Sequence, residues 1–256
     1  MKEIKDIRQI QLIVLDIMKT FHGICVKHGI PYYLTAGGLI GAIRHKGFIP
    51  WDDDLDVVIP RKYFSQLIKI LRHELPPYYS IVSRAEDPAI WGEIVKIEDS
   101  RTLVIEDDLS KDVEHGAFID LFVLDYSDDN QSIFSRHGFI KRIFQLYYYT
   151  RSNSLTPVVL LAKLICLPFG KNGILNLIKH IVPNHGPLLT PYSGSYGEKE
   201  VIDKEIWGSP TLYHFEDTEF YSVEHYDEYL TRVYGDYMTI PPLEKRHFHL
   251  TKMYYR

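Results

Sequence analysis

The run Leu55-Asp56-Val57-Val58-Ile59-Pro60 constrains this chain more than any other segment. Five residues of compact apolar character predict a strand, Pro60 ends it, and the amphipathic segment behind it predicts a helix over 61–74. A carboxylate inside so apolar a strand is costly unless a metal or a partner charge offsets it. Asp56 is therefore both a fold marker and a candidate for chemistry.

The rest of the pattern extends this strand into an α+β chain. Ile7, Ile10, Val14, Ile17, Phe21 and Ile24 recur at three- and four-residue intervals, which predicts one long helix over 3–28 with Gly29 as its C-terminal cap. A short strand over 31–35, a tight turn at Ala36-Gly37-Gly38 and a short helix over 39–46 follow. Further strands are expected over 78–83, 91–97, 102–105 and 117–124, the last apolar except for Asp120. Helices are expected over 132–149, 157–167 and 173–181, a loop over 183–197, and two more helices near 225–234 and after Pro242. This gives a mixed sheet flanked by helices and divides the chain into a catalytic core (1–130), a helical insert (131–197) and a C-terminal helical part (198–256).

Charge supports that division. The formal net charge is −5, yet no Asp or Glu occurs from 131 to 197, where Arg136, Lys141, Arg142, Arg151, Lys163, Lys171 and Lys179 stand. The remaining chain sets 22 basic residues against all 34 acidic ones, a balance of −12. An acidic body with a basic, apolar insert suits two different partners. For the insert these are an anionic membrane surface or, with equal weight, the sheet or a second subunit. Base-specific nucleic-acid binding does not suit an acidic chain without a basic recognition helix. Cys25 and Cys166 make no disulfide framework and no zinc spacing. The N-terminus lacks the pattern of a signal peptide, and the apolar run 157–169 is too short to span a bilayer, so a cytoplasmic protein, peripheral on the inner face of the membrane through 131–182, is expected.

Three features share a chemical meaning. The Gly37-Gly38 turn leading into a helix offers backbone N–H groups to an anion. Asp54 and Asp56, two apart on an extended strand, point to one face and suit a hard cation, Mg2+ or Mn2+. Arg44, His45 and Lys46 lie between them as cations for phosphate oxygens. Asp120 is the natural third metal carboxylate, Asp52 joins the catalytic set and with Asp53 supports the loop, and Lys96 is a weaker phosphate candidate. A calcium loop starting at Asp52 fails, because its sixth and twelfth positions are Val57 and Tyr63 rather than Gly and Glu.

The stretch from Gly37 to Asp56, Gly-Gly-Leu-Ile-Gly-Ala-Ile-Arg-His-Lys-Gly-Phe-Ile-Pro-Trp-Asp-Asp-Asp-Leu-Asp, closely resembles the signature of LicD-family phosphotransferases, relatives of fukutin and fukutin-related protein. Thr102, the block from Gly116 to Asp125, and the segment from Tyr229 to Met238 with Pro241-Pro242 are similar to that family too. The resemblance implies a nucleotidyltransferase-like fold and metal-dependent transfer of a phospho-alcohol, phosphocholine above ribitol or glycerol phosphate, from a CDP-linked donor to a glycan or teichoic acid hydroxyl. Where the family commonly has Gly-Thr, this chain has Gly37-Gly38, which leaves the contact to backbone donors. On this reading metal on Asp54, Asp56 and Asp120 bridges the donor diphosphate, and a carboxylate such as Asp120 helps to deprotonate the acceptor hydroxyl. CDP-choline would need an aromatic box, for which Tyr32, Tyr33, Trp51 and Trp91 are candidates. The rivals are a metal-dependent glycosyltransferase using a nucleotide sugar and a non-catalytic glycan-binding protein.

Overall fold

The computed structural model describes residues 1–83, 86–87, 90, 93–105, 114–127, 138–140, 142–143, 156–246 and 252–256. Strand β3 (Asp56–Pro60) lies near the middle of a mixed sheet and helix α3 (Arg61–Glu74) follows it. On one side β3 pairs antiparallel with β2 (Tyr33–Thr35), and on the other it pairs in parallel with β6 (His115–Ser127). Helix α1 (Ile7–His28) starts at an Asp6 cap and ends at Gly29, whose φ of 62° is the left-handed conformation a capping glycine adopts at little cost. It is a single helix of 22 residues, long and apolar enough to cross a membrane by length and composition. Val14, Ile17, Met18 and Phe21 are nevertheless buried against the sheet, as expected of a core helix.

The described strands run in the order β1 (Lys2–Ile4), β11 (Lys252–Tyr255), β5 (Val95–Ile105), β6, β3, β2, β10 (Thr218–Ser222), β9 (Thr211–Phe215). Beside this path β4 (Tyr79–Ser83) pairs with β5, and β7 (Leu188–Thr190) joins β6 to β8 (Ile202–Asp203). Several expected elements differ. The chain enters through strand β1, and α1 starts only at Ile7. The strands expected over 91–97 and 102–105 form one, β5, because a register shift between Asp99 and Val104 carries the ladder across the polar break. The expected loop over 183–197 contains β7. The C-terminal part is not chiefly helical: the alternating segments Thr211–Phe215 and Thr218–Ser222 form a hairpin that extends the sheet beside β2, and a 3-10 turn and β11 follow Pro242. Most of the helix expected over 132–149 lies outside the described residues, as does Trp91.

The sheet separates two cores. Leu55, Val57, Ile59, Ile119 and Leu121 face α1 and α3. Val58 and Leu124 face the other way, toward Tyr33, Trp207 of α6 (Lys204–Trp207) and the buried side of α7 (Tyr226–Tyr234), whose Tyr229, Leu230 and Val233 complete that layer. Since side chains alternate along a strand, Asp56 and Asp120 take the second face, beneath the C-terminal segment. Helices α4 (Pro157–Cys166) and α5 (Gly170–Ile181) surround a smaller separate core of Ile140, Ile143, Cys166, Ile174 and Tyr192. Both cysteines are free and buried.

Candidate active site

Register puts four polar side chains in one row across the second face. Thr35 on β2 pairs with Asp56 on β3, Asp56 with Asp120 on β6, and Asp120 with Lys96 on β5. Neighbouring strands lie about 4.8 Å apart, so the two carboxylates are held side by side. Lys96 is buried and its ammonium donates to both oxygens of Asp120, at 2.8 and 3.0 Å, while lying over the Phe118 ring. Lys96 is thus committed to Asp120, whereas the sequence alone suggested a phosphate.

The carboxylates of Asp52, Asp53 and Asp54, which precede β3, bring oxygens to within 4.8 Å of one another. Their loop is fixed from outside. The Gln11 amide on α1 donates to the carbonyls of Ile49 (3.1 Å) and Asp52 (2.9 Å). Glu216, at the tip of the β9–β10 hairpin, accepts both terminal nitrogens of Arg8 and the amide of Phe48, while its own amide donates to the carbonyl of Lys46. Such clamping lets like charges stay close. Burial first, then the charges of Asp54 and Asp53, push the Asp52 carboxyl up to about 8. Burial, then Asp54, Asp120 and Asp52, hold Asp56 well above the usual carboxylate range, with Lys96 opposing them. Closely packed carboxylates that resist ionisation form a site short of positive charge, with the hard oxygen donors a divalent cation prefers.

Gly37 has a specific reason to be glycine: a Cβ there would collide with the Asp52 carboxylate, so the missing side chain lets that group lie against the helix start. The residue before it, Ala36, has φ 50°, a conformation uncommon outside glycine. Here the expected tight turn is the first turn of helix α2 (Ala36–Ile40), which continues as a π-helical turn over Gly41–His45. Gly38 faces the opposite way, into the Leu34 and Leu55 side chains of the core.

These groups open into a cavity of about 550 Å3 lined by Ala36, Gly37, Arg44, Trp51, Asp52, Asp54 and Asp56 on one side and by Ser195, Tyr196, Tyr234, Asp236 and Tyr237 on the other. Arg44 is half-buried. Its Nε donates to His45 Nε2 and one terminal nitrogen to the carbonyls of Tyr237 and Thr239, so it ties the π-turn to the C-terminal segment while reaching the cavity. Burial, then the Arg44 charge, lowers the His45 imidazole, which leaves it neutral at physiological pH. His45 and Lys46 are not among the lining residues; Lys46 is exposed, at the left-handed end of the π-turn.

The aromatic wall differs from the box suggested by sequence. Tyr32 is buried with its hydroxyl on His22, and Tyr33 is buried against Trp207 with its hydroxyl on the Gly208 carbonyl. Trp51 does line the cavity, with the Arg246 guanidinium over its ring at 4.0 Å. Its companions are Tyr196 and Tyr234, edge to face at 4.8 Å, and Tyr237. Sequence reasoning assigned these tyrosines no role. The segment Tyr229–Met238 carried a signal through its family resemblance, but Ser195 and Tyr196 sit in a stretch that reads only as loop.

An α+β sheet presenting clustered aspartates beside a glycine-led helix start has the groups that phosphoryl transfer uses, carboxylates for a hard cation and backbone N–H groups for an anion. Residues 29–142 match the family model "LicD/FKTN/FKRP, nucleotidyltransferase domain". The chain is 32% identical over 257 aligned positions, 95% of each chain, to "Lipopolysaccharide cholinephosphotransferase LicD" of Haemophilus influenzae. Shorter matches join it to uncharacterized proteins of Rickettsia typhi (40% over 60 residues, 22% of this chain and 19% of the relative) and Rickettsia prowazekii (42% over 60 residues, 23% of each). The chain belongs to the LicD family and is a LicD-type phosphotransferase.

Proposed function

We propose that this enzyme moves phosphocholine from a CDP-linked donor to a hydroxyl of a cell-surface glycan, with Mg2+ or Mn2+ bound by Asp54 and Asp56. The observation that carries the reading is the convergence of Asp52, Asp54 and Asp56 on one cavity that is also walled by Trp51, Tyr196, Tyr234 and Tyr237. A cavity rich in carboxylates suits a ligand brought in with positive charge: a divalent cation for the diphosphate and a quaternary ammonium for the aromatic faces. The name of the Haemophilus influenzae relative supports phosphocholine and a lipopolysaccharide-like acceptor.

Asp54 and Asp56 would hold the cation, with Asp120 as third ligand and Asp52 completing the set. When bound, such a cation neutralises phosphate oxygens and stabilises the charge that develops on the leaving nucleotide. The protein's own part is mainly position and charge. Arg44 and the Gly37 amide face the diphosphate. Lys96 fixes the orientation of Asp120 through two hydrogen bonds, and a carboxylate such as Asp120 would help to remove the proton of the acceptor hydroxyl. The tyrosine wall orients the choline end and excludes water from the reacting phosphorus.

Product mass spectrometry over a panel of CDP-choline, CDP-ribitol, CDP-glycerol and nucleotide sugars, with and without Mg2+ or Mn2+, tests the reading. The expected result is metal-dependent CMP release with phosphocholine added to the glycan. Transfer of a sugar without phosphorus would make the chain a glycosyltransferase, and retained glycan affinity without turnover would make it a binding protein.

A further inference from the structure

Helix α4 of the acid-free segment plays no part in the site above, and it is built differently from the other helices. At 100° per residue, Val159, Ala162 and Cys166 form one narrow arc, and these are the residues buried against the body. Val158, Leu160, Leu161, Leu164 and Ile165, joined by Leu167 in the next turn, occupy about half of the circumference on the opposite side. They are between 47% and 75% exposed. On α1, by contrast, the large exposed apolar side chains are Leu12 and Val26, fourteen residues apart. Single exposed leucines need no explanation, whereas a contiguous face of six large apolar residues marks a surface that meets something apolar.

Charge identifies the occupant. The face belongs to a segment with seven Lys and Arg and no acid between 131 and 197, and Lys163 borders the apolar arc. Two copies meeting through this face would bring two acid-free, basic segments together. An anionic bilayer instead attracts the segment and repels the remaining chain at −12, which turns this face toward the lipid. We propose that the outward face of α4 docks on an anionic phospholipid membrane, its apolar side chains entering the boundary between headgroups and acyl chains while Lys163 at their border meets lipid phosphates.

Flotation of the full chain with vesicles tests this without reference to catalysis. The chain should float with phosphatidylcholine–phosphatidylglycerol vesicles, remain behind with phosphatidylcholine alone, and bind less as salt is raised. Leu161→Ser with Leu164→Ser should weaken binding by roughly tenfold or more, since each removes buried apolar area at the lipid boundary. Both side chains are more than half exposed, so the melting curve should be unchanged. If the double variant fails to fold, Leu164→Trp alone decides: its added fluorescence should shift to the blue with anionic vesicles. Absence of flotation with either vesicle, flotation indifferent to the double substitution, no blue shift, or a wild-type dimer that the double variant dissolves would each overturn the proposal, the last by assigning the face to a second copy.

Discussion

Strands β5 and β6 carry charged clusters of opposite design. At the cavity, Asp52, Asp54 and Asp56 crowd together, with Asp120 beside Asp56 in the sheet and bonded to Lys96. Near the end of β6, Asp125 is buried but shares the Arg61 guanidinium with Glu93, whose Oε2 lies 2.6 Å from Arg61. At its start, the buried His115 lies between Glu98 (2.6 Å) and Asp87 (3.0 Å). The latter two clusters each set one cationic side chain between two carboxylates within hydrogen-bond reach and are closed, while the first sets four carboxylates beside Lys96 and is open. Buried charge on one sheet is therefore a scaffold where it is compensated and a site where compensation must come from a ligand.

Substitutions should divide along the same line. Asp56→Asn should reduce turnover by about a thousandfold or more while leaving the folded protein equally stable or more stable by up to about 1 kcal/mol, because it relieves repulsion; transfer assays beside urea unfolding check both. Arg61→Ala should do the reverse. Stranding the buried Asp125 costs about 3–5 kcal/mol of unfolding free energy, with kcat per folded molecule unchanged. Loss of activity without loss of stability in Arg61→Ala would break the comparison.

His115 gives a pH test of the scaffold. Burial alone would lower its imidazole, but the hydrogen bonds and charges of Glu98 and Asp87 outweigh burial and raise it. A group whose folded pKa is raised contributes stability that is complete below its unfolded value, about 6.5, and lost as pH rises through the folded value. The melting temperature should fall over that window, and the fall should shrink in His115→Asn. The smallest effect is expected at the cavity wall. Tyr196→Ala should raise KM for a CDP-choline donor about fivefold, as for the loss of one cation–π face of about 1 kcal/mol, with little change in kcat.

Asp56 and Asp120 were legible in the sequence because a carboxylate within an apolar strand has few physical excuses. So were α3 to the residue and the Gly29 cap, where periodicity and backbone preference act locally. Their register was not legible: that Asp56 faces Asp120 depends on a parallel pairing across 64 positions, and the commitment of Lys96 depends on how β5 meets β6. Nor could sequence place Tyr196 and Tyr234 over the aspartates, since that wall joins a loop residue to a helix residue 38 positions away that meet only in the tertiary fold. The Ala36-Gly37-Gly38 turn proved to be the start of a helix, and what the sequence could not show is that Gly37 leaves room there for Asp52.

The central claim is that the open cluster lacks positive charge that a divalent cation supplies. Thermal unfolding of wild type and Asp56→Asn across a Mn2+ titration tests it directly. The account predicts a melting temperature that climbs with Mn2+ in wild type, by RT ln(1 + [Mn2+]/Kd) in free energy, and stays nearly flat in Asp56→Asn; an equal rise in both proteins, or none in wild type, would contradict it.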